Sequence, residues 1–178
     1  MNELLFAAML SLIPAKAQVP HGETVDGATA RYRVIADAIA GASTGDATLA
    51  ALLVTVARHE SDFRRAVHSG KVRGDAGYSY GLYQVRFNGR HPGARAPRST
   101  VRAFEVVGVD PASSRRAANL AAAYLKRAVK SCRARAECMF KYYGGVSKTT
   151  NLKVQGRIAA RVKTYRRVRA FLASRATR

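Results

Sequence analysis

Asp46 to Ser61, DATLAALLVTVARHES, is the stretch that most constrains the fold. Leu49, Leu52, Leu53, Val56 and Ala57 fall at helical spacing, three and four residues apart, with Asp46 placed to cap the first turn. The next position on that face is Glu60. At about 100° per residue it returns to within roughly 20° of Leu49. The pattern thus directs a carboxylate where it calls for a hydrophobe. Burial opposes ionisation, and the helix C-terminus adds partial negative charge, so both raise the pKa of such a group. A Glu60 that stays protonated near neutrality is the expectation, as a general acid requires. The competing reading places Glu60 past the core edge or against one of the many arginines. His59 does not share its face, and Asp62 reads as a solvated helix end.

The remaining periodicity predicts a mostly helical domain. Val34, Ile35, Ala38 and Ile39 mark a helix from about residue 31 to 41, followed by a turn to Gly45. Further helices are expected over about 113–130, over 137–143 with Gly144-Gly145 as the stop, and over 155–174. In the last, Ile158, Val162, Tyr165, Val168 and Leu172 form an apolar stripe among arginines. Residues 70–100 lack a helical period and read as a loop or small β-hairpin between helices. A chain of 178 residues has room for one ordinary domain, placed at 19–178.

Charge restricts the chemistry. Residues 1–60 hold four basic and six acidic groups, whereas residues 61–178 hold 27 basic and five acidic ones. A net charge of +20 points to a polyanionic partner. After Glu60 the only carboxylates are Asp62, Asp75, Glu105, Asp110 and Glu137, so acid/base work must draw on that short list.

The first 18 residues, MNELLFAAMLSLIPAKAQ, have two readings. An apolar core followed by Ala-Lys-Ala fits a signal peptide, while Glu3 and the lack of a leading Lys or Arg fit a helix retained on the domain. The apolar stretch near residues 4–14 is too short for a membrane span of about 20 residues. Cys132 and Cys138 stand six apart, which on one helix would place them on opposite faces. A disulfide between them needs an intervening turn; a reduced, buried pair is the other reading. Two cysteines with no nearby His make a poor zinc site, and no metal or cofactor is expected.

The segment GDAGYSYGLYQV carries Gly74, Gly77 and Gly81, each able to take backbone angles that other residues avoid. Such a loop can approach an extended ligand closely, with tyrosines for stacking and Gln84 for hydrogen bonds to neutral polar groups. A phosphate loop is excluded, because no Gly-Lys-Ser/Thr follows. A plain hairpin with structural glycines is the alternative.

Together these pieces resemble the lysozyme-like fold of lytic transglycosylases and goose-type lysozymes. Glu60-Ser61 ending an apolar helix is similar to that family's catalytic Glu-Ser. Gly81-Leu82-Tyr83-Gln84-Val85, preceded by Ser79-Tyr80, is similar to its Gly-Leu-Met-Gln-Ile motif. Tyr142-Tyr143-Gly144-Gly145 resembles its Ala-Tyr-Asn-Ala-Gly motif, and a helix with Arg161-Val162 and Tyr165 stands where a Tyr-rich closing helix is common. The match spans roughly residues 30–170. Two departures stand out: Gly144 replaces the usual Asn, and Arg86 occupies the place of a further goose-type acid. Gly74-Asp75 matches the goose-type Gly-Asp, which leaves Asp75 as the candidate second carboxylate.

The resemblance implies a cleavage of peptidoglycan between N-acetylmuramic acid and N-acetylglucosamine, with Glu60 as acid and base. Ser61, Ser79, Gln84, Tyr142, Tyr143 and Tyr165 are the expected substrate contacts. Without a second carboxylate the muramic 6-hydroxyl closes onto C1 as a 1,6-anhydro ring; with Asp75 engaged, water hydrolyses the bond as in a lysozyme or endolysin. Expected partners are glycan strands and anionic wall polymers. The expected form is a monomer in the cell envelope, periplasmic, secreted or phage-associated. The competing class is a basic nucleic-acid-binding structural protein, to which such charge gives salt-dependent affinity. No recognition-helix motif supports it, and no nucleic acid partner is expected.

Overall fold

Helix α3 (Ala47–Ser61) runs through the middle of the protein, and every residue from Leu49 to Ala57 on it is buried. The computed structural model describes residues 1–20, 22–74, 78–86, 103–146 and 150–176. A helix apolar on one face only would have left Ala50, Ala51, Val54 and Thr55 in water. Here neighbours cover all sides, the arrangement expected of a helix that is apolar all round. Thr55 fits because its hydroxyl donates to the Ala51 carbonyl at 2.7 Å. Asp46 caps the helix as expected, accepting from the amides of Thr48 and Leu49.

Around α3 lie α1 (Asn2–Leu12), α2 (Val25–Ser43), the short α4 (Arg65–His68), α5 (Pro111–Cys132), α6 (Ala136–Tyr143) and α7 (Leu152–Ala176). Among the described residues the protein is therefore mostly α-helical. Helix α2 packs along α5, α7 packs along α3 and α6, and α1 lies against α2 and α7. The N-terminal segment contributes Leu5, Ala8, Met9 and Ile13 to the core. No helix among the described residues is long and apolar enough to cross a membrane.

Three helices start earlier than their apolar periodicity implied, for one reason. Polar side chains cap them ahead of the first buried residue. The Thr24 hydroxyl accepts from the Gly27 amide, Asp110 accepts from Ala112 and Ser113, and Asn151 accepts from Lys153 and Val154. The stripe on α7 buries Ile158, Tyr165, Val168 and Leu172, with Val162 half-buried beside them.

The described part of the glycine-rich segment is a minimal antiparallel hairpin, β1 (Ser79–Tyr80) with β2 (Val85–Arg86), Tyr80 pairing with Val85. Cys132 and Cys138 form a disulfide across the α5–α6 junction. The required turn is made by Arg133 and Ala134, both at positive φ. That turn re-aims the chain so that the two cysteines meet with Cα atoms 5.5 Å apart.

Candidate active site

Glu60 stands where buried α3 emerges into a cleft of about 310 Å³. Its side chain keeps 21 % of its exposure, so it is neither sealed in the core nor out in solvent. The segment that follows is held firmly. Asp62 and Phe63 both take left-handed backbone angles, which L-residues adopt only when surroundings enforce them. Phe63 is fully buried edge-on to Tyr32, and its carbonyl accepts from Arg31. Arg31 also meets both carboxylate oxygens of Glu23 at 2.9 Å. This buried, forked ion pair holds the Glu23 carboxyl below its ordinary range.

Four elements build the cleft walls. The hairpin contributes Gln84 and Val85, α5 contributes Tyr124, α6 contributes Phe140 and Tyr143, and α7 contributes Arg157, Ile158 and Arg161. Gln84 sits at positive φ and donates through Nε2 to the Gly81 carbonyl at 3.0 Å. A side chain on Gly81 would lie 2.5 Å from the Val106 carbonyl oxygen, and its φ of 69° also requires glycine. A Cβ on Gly74 would strike the Gln84 side-chain oxygen, so that glycine leaves room for the Gln84 amide. The Tyr143 hydroxyl donates to the Tyr83 carbonyl at 2.9 Å, and its ring lies edge-on to Tyr124. Burial, and then the Glu60 charge, push the Tyr143 phenol far above its ordinary pKa. It is a neutral donor.

The charge arrangement differs from the isolated, protonated acid that the pattern of α3 suggested. Arg161 Nη2 lies 2.6 Å from Glu60 Oε1. A guanidinium at that distance favours the charged carboxylate. His59, which helical geometry left without a role, reaches Thr164 on α7 at 2.9 Å. Burial, then Arg161 and Arg58, lower its pKa to about 4, so at neutral pH it is uncharged.

Of the residues singled out from sequence, Glu60, Gln84 and Tyr143 line this one cleft. Four others do not. Ser61 is buried, and its hydroxyl donates to the Ala57 carbonyl at 2.6 Å and accepts from the Phe63 amide, so it shapes the turn after α3. Tyr165 is a core residue, edge-on to Phe140 at 6.1 Å, because the apolar stripe of α7 faces inward there. Ser79 is buried in β1, and Tyr142 is half-buried on the neighbouring turn position from Tyr143. Asp75 lies outside the described residues. Sequence reasoning missed the polar cleft residues Tyr124 and Arg157 and the ion-pair role of Arg161. The one available signal was that Arg157 and Arg161 stand four apart beside the apolar stripe of α7. Among the described residues no cluster of His, Cys, Asp and Glu could hold a metal ion.

Searches against protein-family models, curated proteins and solved structures found no match to this chain.

Proposed function

We propose that this chain is a peptidoglycan-cleaving glycosidase of the lytic transglycosylase type, lysozyme-like in fold, with Glu60 as its acid and base. One observation supports this reading above the others: a half-buried carboxylate at the end of a buried helix, in a cleft shared with a fixed amide and two tyrosines. An aromatic wall and the neutral Gln84 and Tyr143 groups suit a sugar ring, with Arg157 and Arg161 at the α7 side of the cleft. The large positive charge draws the protein to anionic wall polymers and peptide carboxylates without selecting a bond. The setting is an envelope, periplasmic, secreted or phage-borne one, and the acting form is a monomer.

In the proposed reaction Glu60, protonated, gives its proton to the glycosidic oxygen that leaves with N-acetylglucosamine. The C1–O bond of the muramic residue breaks. The resulting carboxylate takes the proton of the muramic 6-hydroxyl as O6 bonds to C1, which closes the 1,6-anhydro ring and returns Glu60 to its acid form. Gln84 and the neutral Tyr143 phenol would orient the sugar. Hydrolysis is the second outcome, and it would require Asp75 or an unassisted water.

Mass spectrometry of the fragments released from purified sacculi tests both levels. Muropeptides lighter by one water than the reducing forms are expected. Predominantly reducing ends would replace the transglycosylase with a hydrolase, and no released fragments would reject the glycosidase.

A further inference from the structure

The acid form of Glu60 and its contact with Arg161 are in conflict, and the conflict has a chemical resolution within the cleft. Arg161 and Arg157 stand four residues apart on α7, so their side chains are neighbours on one face, and both line the cleft. Arg161 is mostly buried at the Glu60 carboxylate, whereas Arg157 is exposed and has no ion-pair partner among the described residues. Several described groups around the cleft carry no positive charge. Tyr143 from α6 and Tyr124 from α5 have raised pKa values, Gln84 from the hairpin is neutral, and His59 on α3 is uncharged at neutral pH. A substrate anion can draw Arg161 away without leaving a guanidinium buried and unpaired.

We propose that Arg157 and Arg161 form a carboxylate subsite for the muramyl unit, and that an anion bound there takes Arg161 from Glu60 and lets Glu60 gain its proton. This inference rests on the glycosidase reading and refines it. The carboxylate belongs either to the lactyl group of a peptide-free glycan or to the peptide attached to it. The forked guanidinium matches a carboxylate through two parallel N–H donors. In the free protein Arg161 bonds the Glu60 carboxyl; a neutral oligosaccharide fills the cleft but leaves that pair in place. Muramyl glycan bearing a free carboxylate is then both the ligand and the trigger.

Calorimetry with four probes tests the subsite. The disaccharide GlcNAc-MurNAc, its L-Ala-D-Glu conjugate and the fully amidated conjugate all lack the bond to be cut, and chitotetraose is the neutral control. One of the acidic probes is expected to bind about ten-fold more tightly than the amidated one, the worth of a charge-assisted contact. The tighter acid identifies which carboxylate is read. Arg157→Gln and Arg161→Gln should each collapse the acid-to-amide ratio toward one, and Arg161→Lys should restore part of it. Equal binding of acid and amide by the unmutated protein overturns the subsite, while retained binding of chitotetraose leaves the glycosidase reading standing. Failure of all four probes overturns both.

The trigger is read separately by carbon-detected NMR titration of the Glu60 carboxyl. The tighter-binding acidic probe, and Arg161→Gln without ligand, should each raise the midpoint by about one unit, whereas the amidated probe should not. An unchanged midpoint with the acidic probe overturns the displacement of Arg161.

Discussion

Tyr143 donates its hydroxyl to the backbone carbonyl of Tyr83 across 2.9 Å, tying helix α6 to the hairpin turn. The two partners stand 60 residues apart in the chain; Tyr143 lines the cleft that holds Glu60, and buried Tyr83 immediately precedes Gln84, which lines it from the hairpin. Because the accepting group is backbone, the bond fixes the position of the Gly81–Gln84 turn itself. The spacing between Gln84 and the α6 wall is thereby set before any ligand arrives. Arg161 completes the frame by bonding Glu60 from α7.

Replacing Glu60 by Gln keeps the shape and removes the proposed proton donor. Turbidity loss of purified sacculi should fall by about 100-fold or more, the usual contribution of a positioned acid. Circular dichroism should show an unchanged helical content. Asp75→Asn should have a milder effect; a loss as deep as that of Glu60→Gln would favour a two-carboxylate hydrolase.

Acid should destabilise the fold in a defined window. His68 is fully buried, its Nε2 lies 2.9 Å from the Ser114 hydroxyl, and burial lowers its pKa to about 4. His59 is lowered to about 4 as well. The unfolded chain protonates these groups near their ordinary value of about 6.5, so between there and about 4 it binds more protons than the folded one. Their stabilising effect is complete above the upper value and is lost as pH falls through the window. Urea midpoints measured from pH 7 to 4 should decline, and His68→Gln should flatten that decline. A flat profile in the unmutated protein would contradict the buried neutral imidazoles.

The Glu23–Arg31 pair should behave as one unit. Both side chains are at least 95 % buried, and Arg31 also holds the Phe63 carbonyl in the turn after Glu60. Removing either partner strands the other charge, so Glu23→Leu and Arg31→Leu should each cost about 3–5 kcal/mol. The double replacement should cost less than the sum of the two. Equilibrium denaturation of the four proteins in a double-mutant cycle measures this coupling.

The Cys132–Cys138 bridge closes a short loop, worth about 2 kcal/mol in unfolded-chain entropy. Replacing both by Ser should lower the melting temperature by about 4–8 °C in a chain of this size. The α5–α6 corner carries Phe140 and Tyr143, so lysis should weaken as well. Differential scanning calorimetry with and without reductant should give the same shift as the mutant.

Gly81→Ala should disturb the site more than the fold as a whole. The added methyl meets the Val106 carbonyl oxygen at 2.5 Å and the backbone angle disfavours alanine. Chitotetraose affinity should drop through displacement of Gln84, while the melting temperature shifts by only a few degrees, consistent with about 1–2 kcal/mol of local strain. An unchanged affinity would show that the turn is scaffold alone.

The features legible in the sequence were those that depend on neighbours along the chain. The helical period of residues 47–61, the Asp46 cap, the stripe on α7 and the stop at Gly144-Gly145 all follow from local geometry and local hydrogen bonds. Caps at Thr24, Asp110 and Asn151 lengthen three helices beyond the point where their apolar period begins. The exceptional position of Glu60 could be read for the same reason, because a helix fixes the face on which each of its residues lies.

Its charge environment could not. Arg161 is 101 residues away, and which of the 31 basic residues would meet Glu60 depends on how α7 docks against α3. Docking also decided that α3 is covered on all sides. It placed the backbone of the hairpin beneath the Tyr143 hydroxyl as well. Periodicity specifies an apolar face but not the element that covers it, and a long-range ion pair leaves no spacing to read. Sequence alone therefore determined the helices and the carboxylate at the end of one of them; the tertiary structure decided what that carboxylate meets.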